Sequence, residues 1–238
     1  MGRFTAELDG GAYTDYVTAL EQEAVALGLP GTPAALVNGE IVAGQNLPID
    51  YTVWKQFVDG TLAVAQLPQY DAPEDMGIDE SKTYHARVTM EGGDQFVIEL
   101  YPTSAPQTVN SFVFLAEEGF FDGMTFHRVL KDFMAQTGDP SGTGMGGPGY
   151  MLPNEIDPNL SHDSAGVVAM ANRGPNTNGS GWYITLAPAT HLDGGYTIFG
   201  RVIEGMDVVE GLTLRDPSAN PDAPPGDVVE SVQIEISD

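Results

Sequence analysis

The sequence predicts a mainly β domain closed into an antiparallel barrel, preceded by a small α/β segment. Three observations carry this reading. Beyond residue 83, short apolar runs recur between Gly- and Pro-rich loops, while helical periodicity is rare. Before residue 67 the patterns run helix, strand, hairpin partner, helix. Between the two lies "LPQYDAPEDMGIDESK", residues 67–82, acidic and carrying two prolines, which reads as a linker. The expected division is therefore 1–66, 67–82 and 83–238.

In the first part, "TDYVTALEQEAVAL" places Val17, Leu20, Ala24 and Leu27 on one helical face, and Gly28 stops the run. "AALVNGEIVAG" sets two apolar runs around Asn38-Gly39, a strong type I′ hairpin signal. Asp50 can cap a second helix whose Trp54, Phe57, Val58 and Leu62 form a stripe. In the second part, "YHARVTM" and "QFVIELY" flank the turn Glu91-Gly92-Gly93-Asp94. "SAPQTVNSFVFLAEEG" predicts a helix with Ser104 as N-cap, Pro106 in the first turn and Gly119 at its end. Its apolar face is Val109, Phe112, Val113 and Ala116. Strand candidates follow in "TFHRV", "FMAQTG", "GVVAMAN", "WYITL", "TIFGRV" and "VESVQIEIS". The loops "DPSGTGMGGPGYMLPNEI" and "RDPSANPDAPPGD" are too long for plain hairpins and suit the walls of a groove.

Composition removes several functions. Nine Lys and Arg against 34 Asp and Glu give a net charge of −25, which argues against nucleic acid and repels anionic membranes. The lysines are Lys55, Lys82 and Lys131. No apolar run approaches the ~18 to 20 residues of a membrane span, and "MGRFTAELDGG" lacks the apolar region of a signal peptide. Neither observation fixes the compartment, cytoplasmic or exported. With no cysteine, disulfides and thiolate chemistry are excluded. His85, His127, His162 and His191 make no metal-binding pair. Ser180 lacks the spacing of a nucleophile elbow, and "GTGMGGPG" has no lysine after it to complete a phosphate loop. What survives is "FHRVLKDFMAQTGD": one guanidinium, a glutamine and apolar side chains, with no nucleophile, acid pair or metal spacing.

Residues 84–237 resemble a cyclophilin-type peptidyl-prolyl isomerase of bacterial character, through "FHRVLKDFMAQTGDP", "GTGMGGPGY", "MANRGPNTNGS" and "HLDGGYTIFGRV" in the family's order and spacing. The resemblance implies an eight-stranded antiparallel barrel capped by two helices, with the site on its outer face. It implies that Arg128 is catalytic and donates to the proline nitrogen. It also implies that Phe133, Met134, Gln136, Gly144, Ala171, Asn172, Tyr183, His191, Leu192 and Tyr196 bind substrate. The chain departs from the family's usual residues at Gly181, where Gln is common, and at Arg173, where Ala is common, and both bear on specificity. Tyr183 stands for the commoner Phe, His191 for Trp and Tyr196 for His. The implied partners are proline-containing polypeptides whose folding is assisted, with no cofactor or metal, and with weak binding of cyclosporin-type inhibitors. A non-catalytic proline-peptide-binding or scaffold module is the alternative.

"GLPGTPAALVNGEIVAGQ" resembles the second half of a DsbA-like thioredoxin fold, over roughly residues 4–65, with Thr32-Pro33 at the family's Thr-Pro position. The family's first βα unit and its C-x-x-C pair are missing, so redox activity is not expected. Such a remnant is expected to pack on the barrel or to dimerise.

Overall fold

The computed structural model describes residues 18, 19, 22, 25, 26, 34–37, 40–43, 69–143, 146–220 and 223–238. The chain divides into two compact units, Met1–Trp54 and Lys55–Asp238. In the first, the described positions 18, 19, 22, 25 and 26 are helical. Strands β1 (Ala34–Val37) and β2 (Glu40–Ala43) pair antiparallel with Val37 opposite Glu40. Asn38-Gly39, read as a type I′ turn, lies outside the described residues. Thr32-Pro33 and the stripe from Trp54 to Leu62 lie outside the described residues, so the half-thioredoxin reading has no structural support here.

The second unit is one curled antiparallel sheet. Its strands are β3 (Thr83–Met90), β4 (Gln95–Leu100), β5 (Arg128–Leu130), β6 (Met134–Thr137), β7 (Val167–Met170), β8 (Trp182–Thr185), β9 (Ile198–Glu204) and β10 (Val229–Ser237). Their spatial order is β10-β3-β4-β9-β7-β8-β6-β5. The two ends of the sheet meet at the Thr125–Val228 bridge and through backbone bonds from Gly123 N–H to the Val229 carbonyl and from Val229 N–H to the Met124 carbonyl. The expected barrel is thus a curled sheet closed by a seam rather than by a full ladder.

Alternation explains the packing. In β3, Tyr84, Ala86, Val88 and Met90 are buried while the residues between them are half-exposed, the period of two that a one-sided strand must show. They join Phe96, Ile98, Phe126, Trp182, Ile184 and Phe199 in the main core. Helix α1 (Pro106–Glu117) buries Val109, Phe112, Val113 and Ala116 against the inside of the curl, as its periodicity predicted. The Phe112 ring meets Trp182 edge-on at 5.8 Å and Phe121 at 5.1 Å, arrangements that aromatic quadrupoles favour. A second, short helix is α2 (Met206–Glu210).

The cap of α1 differs from the sequence reading. Ala105, not Ser104, is the N-cap residue, and it has no side chain to offer. The Glu155 carboxylate instead accepts hydrogen bonds from the backbone N–H of Gln107 at 3.0 Å and of Thr108 at 2.8 Å. It also accepts the Thr108 hydroxyl at 2.7 Å. A carboxylate at the positive end of the helix satisfies two orphan donors and the macrodipole together. Ser104 is thereby freed to donate to Asp157 at 2.7 Å. The helix ends as predicted at Gly119, which takes φ +66° while Phe120 N–H closes back to the Leu115 carbonyl, the Schellman arrangement.

Residues 69–82, within the stretch read as a linker, form no helix or strand and run along α1. Tyr70 N–H bonds the Pro148 carbonyl, and its ring meets Phe114 edge-on at 4.9 Å. Asn110 holds the backbone at both Met76 and Glu74.

Candidate active site

The register across four strands builds the site. Arg128 on β5 pairs with Gln136 on β6, Gln136 with Tyr183 on β8, and Tyr183 with Ala169 on β7. Directly paired residues project from the same face of a sheet, so these four form one row. The next row, Val129, Ala135, Ile184 and Val168, faces inward and belongs to the main core. The Arg128 row therefore stands on the outer face.

An outer face of a sheet normally meets water and carries polar residues. This one carries a second apolar cluster of Met134, Val167, Ala169, Tyr183 and Ile198. Phe133, Leu192, Tyr196, Ala171 and Leu130 pack on it while partly exposed. Met134 and Tyr183 are 3% and 4% exposed, so they make the floor, and the partly exposed residues make the walls. His191 stacks on Phe133, with ring centroids 5.6 Å apart and planes at 25°. Tyr196 meets Tyr183 edge-on at 5.9 Å. The result is an apolar surface on the outer face with a guanidinium and an amide in the same row.

Arg128 has a polar neighbour on two sides. Gln136 lies opposite it in the ladder, and the Asp216 carboxylate stands 4.0 Å from its Nε. Asp216 comes from the long loop after α2, which reaches β5 through the Val129–Arg215 bridge. Beside it, burial pulls the His127 imidazole below its ordinary range, although the Asp139 carboxylate opposes that shift. His127 is 4% exposed, so it packs beneath the strand rather than on the apolar surface.

The rim near β7 is set by main-chain contacts. Ala171 N–H bonds the Gly181 carbonyl at 2.9 Å. Asn172 donates to the Gly195 carbonyl at 3.1 Å and receives Gly174 N–H at 3.2 Å. A Cβ on Gly181 would meet Ala171 Cβ at 3.6 Å, an ordinary contact, so nothing steric enforces glycine there. Arg173 is exposed, and its backbone is tied to the Thr177 hydroxyl at 2.9 Å. Gly144 lies outside the described residues.

The structure thus brings together Arg128, Phe133, Met134, Gln136, Ala171, Tyr183, His191, Leu192 and Tyr196. Sequence reasoning missed Leu130, Val167, Ala169 and Ile198, which read as plain strand residues. It also missed Asp216 and the His162–Asp193 pair, whose ring nitrogen and carboxylate are 2.7 Å apart. Burial pushes the Tyr183 phenol up, so its hydroxyl stays protonated. Asp193 is held down to about 2, first by the backbone N–H of His162, then by the Ser161 hydroxyl and the His162 ring. Among the described residues, no group of three His, Cys, Asp or Glu stands together as metal ligands, and no helix is long and apolar enough to cross a membrane.

Comparison with known proteins gives a consistent picture. A family profile described as cyclophilin type peptidyl-prolyl cis-trans isomerase/CLD matches residues 85–234. The peptidyl-prolyl cis-trans isomerase-like 1 of Rhizopus delemar is 53% identical over 126 residues, covering 52% of this chain and 76% of that protein. Its Neurospora crassa namesake is 51% identical over 131 residues, covering 53% and 80%. A crystal structure of a cyclophilin type peptidyl-prolyl cis-trans isomerase from Cryptosporidium parvum superposes with a TM-score of 0.58 at 32% identity. It covers 66% of this chain and 99% of its own. The same protein in the presence of the dipeptide Ala-Pro gives 0.57 at 32% identity. These two sequence relatives are fungal, so the bacterial character expected from the motifs has no support in them.

Proposed function

The chain belongs to the cyclophilin-type peptidyl-prolyl cis-trans isomerases, and from that premise we propose that Arg128 is its catalytic donor and the outer-face apolar cluster its proline pocket. The observation that carries this is the shared row of Arg128, Gln136 and Tyr183 above an apolar floor. Rotating an X-Pro amide breaks no covalent bond, which is why the site needs no nucleophile, acid or metal. The obstacle is the partial double-bond character of C–N, a barrier of ~18 to 20 kcal/mol. A thousandfold acceleration requires about 4 kcal/mol of preference for the twisted state.

At the twist the proline nitrogen loses conjugation, becomes pyramidal and regains a lone pair. A donor aimed there meets the transition state and scarcely touches the planar ground state, which is differential binding. The planar fork of Arg128 reaches that nitrogen and the adjacent backbone together, as a lysine point charge does not. Gln136, its ladder partner, keeps the fork in place. Phe133, Met134, Tyr183 and Leu192 grip the ring, while Ala171 and Asn172 present a main-chain edge to the peptide. Gly144, His191 and Tyr196 complete the binding surface, and Arg173 and the bare Gly181 bias sequence preference. The neighbouring structure solved in the presence of Ala-Pro supports proline-containing peptides as the substrate class. Cyclosporin-type inhibitors should bind weakly, because the imidazole of His191 covers less area than an indole; nanomolar inhibition would refute this.

The test is isomerisation of a short X-Pro peptide followed by NMR exchange, which reads affinity and rate separately. Arg128→Ala should lower kcat/KM about a hundredfold or more, the usual effect of losing one preorganised donor. Arg128→Lys should recover little of it. Phe133→Ala should weaken binding instead. An Arg128→Ala protein that bound and exchanged the peptide like wild type would overturn the assignment.

A further inference from the structure

His162 is fully buried, at 0% exposure, yet both ring nitrogens are engaged. Nδ1 lies 2.7 Å from Asp193 Oδ1, and Nε2 lies 2.9 Å from the Tyr183 hydroxyl. Asp193 Oδ1 also accepts the backbone N–H of His162 at 2.8 Å, and its Oδ2 accepts the Ser161 hydroxyl at 2.6 Å. An ionised carboxylate only accepts, so Nδ1 carries a proton toward Asp193. On the tautomer protonated at Nδ1 alone, Nε2 offers a lone pair and the Tyr183 hydroxyl donates into it.

These partners come from separate parts of the pocket. Tyr183, on β8, is its floor. Asp193 caps the single 3-10 turn Thr190–Leu192, which carries the wall residues His191 and Leu192. The same turn is stitched from its other end, where Ala189 N–H bonds the His162 carbonyl at 2.7 Å. One buried imidazole thus spans the gap between floor and wall.

We propose that Asp193, His162 and Tyr183 form a hydrogen-bonded relay that fixes the spacing of the proline pocket, with His162 and Asp193 as positioning residues that never touch the peptide. The proposal rests on reading the outer face as the proline pocket. Its physical basis is the cost of an orphaned buried nitrogen: a phenylalanine at 183 leaves Nε2 with no partner among the described residues, and the ring moves to find one. When it moves, the turn bearing Leu192 moves with it. The tyrosine hydroxyl is then a specificity feature of this chain, holding the pocket at one width.

Tyr183→Phe in the full chain is the decisive variant, since it removes a single oxygen and preserves packing. NMR exchange on a proline peptide reads affinity and bound-state rate, and the His162 Nδ1–H resonance reports the Asp193 bond directly. Affinity should fall about five- to twentyfold with the bound-state rate within about twofold. The Nδ1–H resonance should shift and exchange faster with water. Asp193→Asn should weaken binding similarly, and the double variant should be no worse than either alone, since members of one unit are not additive. Unchanged affinity with an unmoved His162 resonance in Tyr183→Phe overturns the relay, as do losses that simply add. If Asp193→Asn fails to fold, Tyr183→Phe decides alone. A wild-type protein that does not isomerise peptides defeats the functional reading instead, and the response of the His162 resonance to Tyr183→Phe still decides the relay.

Discussion

The proposed donor, Arg128, is tethered. Its carboxylate neighbour Asp216 is 4.0 Å away, with both side chains about a third exposed. Such a pair is worth ~0 to 1 kcal/mol, enough to bias the guanidinium and too little to withhold it from a peptide. Asp193 is different, because three donors converge on it. Its folded pKa, held down to about 2, lies below the ~3.9 of an unfolded aspartate. The unfolded chain therefore binds more protons between these values, so the contribution of Asp193 is complete above pH ~4 and is lost as pH falls toward ~2. In thermal melts, the gap between wild type and Asp193→Asn should be widest at neutral pH and close toward pH ~2. A gap that stays constant across that range would show that the Asp193 charge contributes nothing. Arg128, Phe133, Met134 and Gln136 were legible because they sit within nine residues of one strand-turn-strand, in a pattern that a known family shares. Asp216, His162 and Asp193 were not, because Arg215, beside Asp216, meets His127 across 88 residues and His162 meets Asp193 across 31 residues.

 The loop carrying Asp216 is anchored through Arg215, whose Nε donates to the His127 carbonyl across those 88 residues. No local pattern announces such a contact.

Elements show the same division between local and distant causes. The ends of α1 that depend on its own residues, Pro106 and Gly119, follow from sequence because their backbone preferences are local. Its cap does not, because Glu155 arrives from 47 residues away to meet Thr108. Glu155→Ala removes three hydrogen bonds and the charge at the helix start, and should cost about 1 to 2 kcal/mol. The melting temperature should then drop by roughly 2 to 8 °C for a chain of this size. Ser104→Ala, which removes one bond to Asp157, should cost less; the reverse order would restore Ser104 as the cap. The strands were legible wherever one face is buried, as in β3. The apolar outer face of β6 and β8 was legible only through the family motif, since a strand buried on both faces loses its alternation.

The whole molecule carries a charge of −25, and its self-repulsion is screened over ~10 Å at 0.1 M salt. Its melting temperature should rise as sodium chloride goes from low to molar concentration, and a flat response would show that the charge does not oppose folding. The seam of the curled sheet has a different consequence. Strands β3, β4 and β9 are laced to neighbours on both sides, whereas β5 has the β6 ladder on one side and, on the other, the single bridge from Val129 to Arg215. Opening that margin breaks few bonds, so its amides belong to the low-stability end of the molecule's range of local openings. The guanidinium proposed to follow a rotating amide is therefore mounted on the sheet's sparsely laced margin, while Tyr183 in the floor sits on a strand paired on both sides.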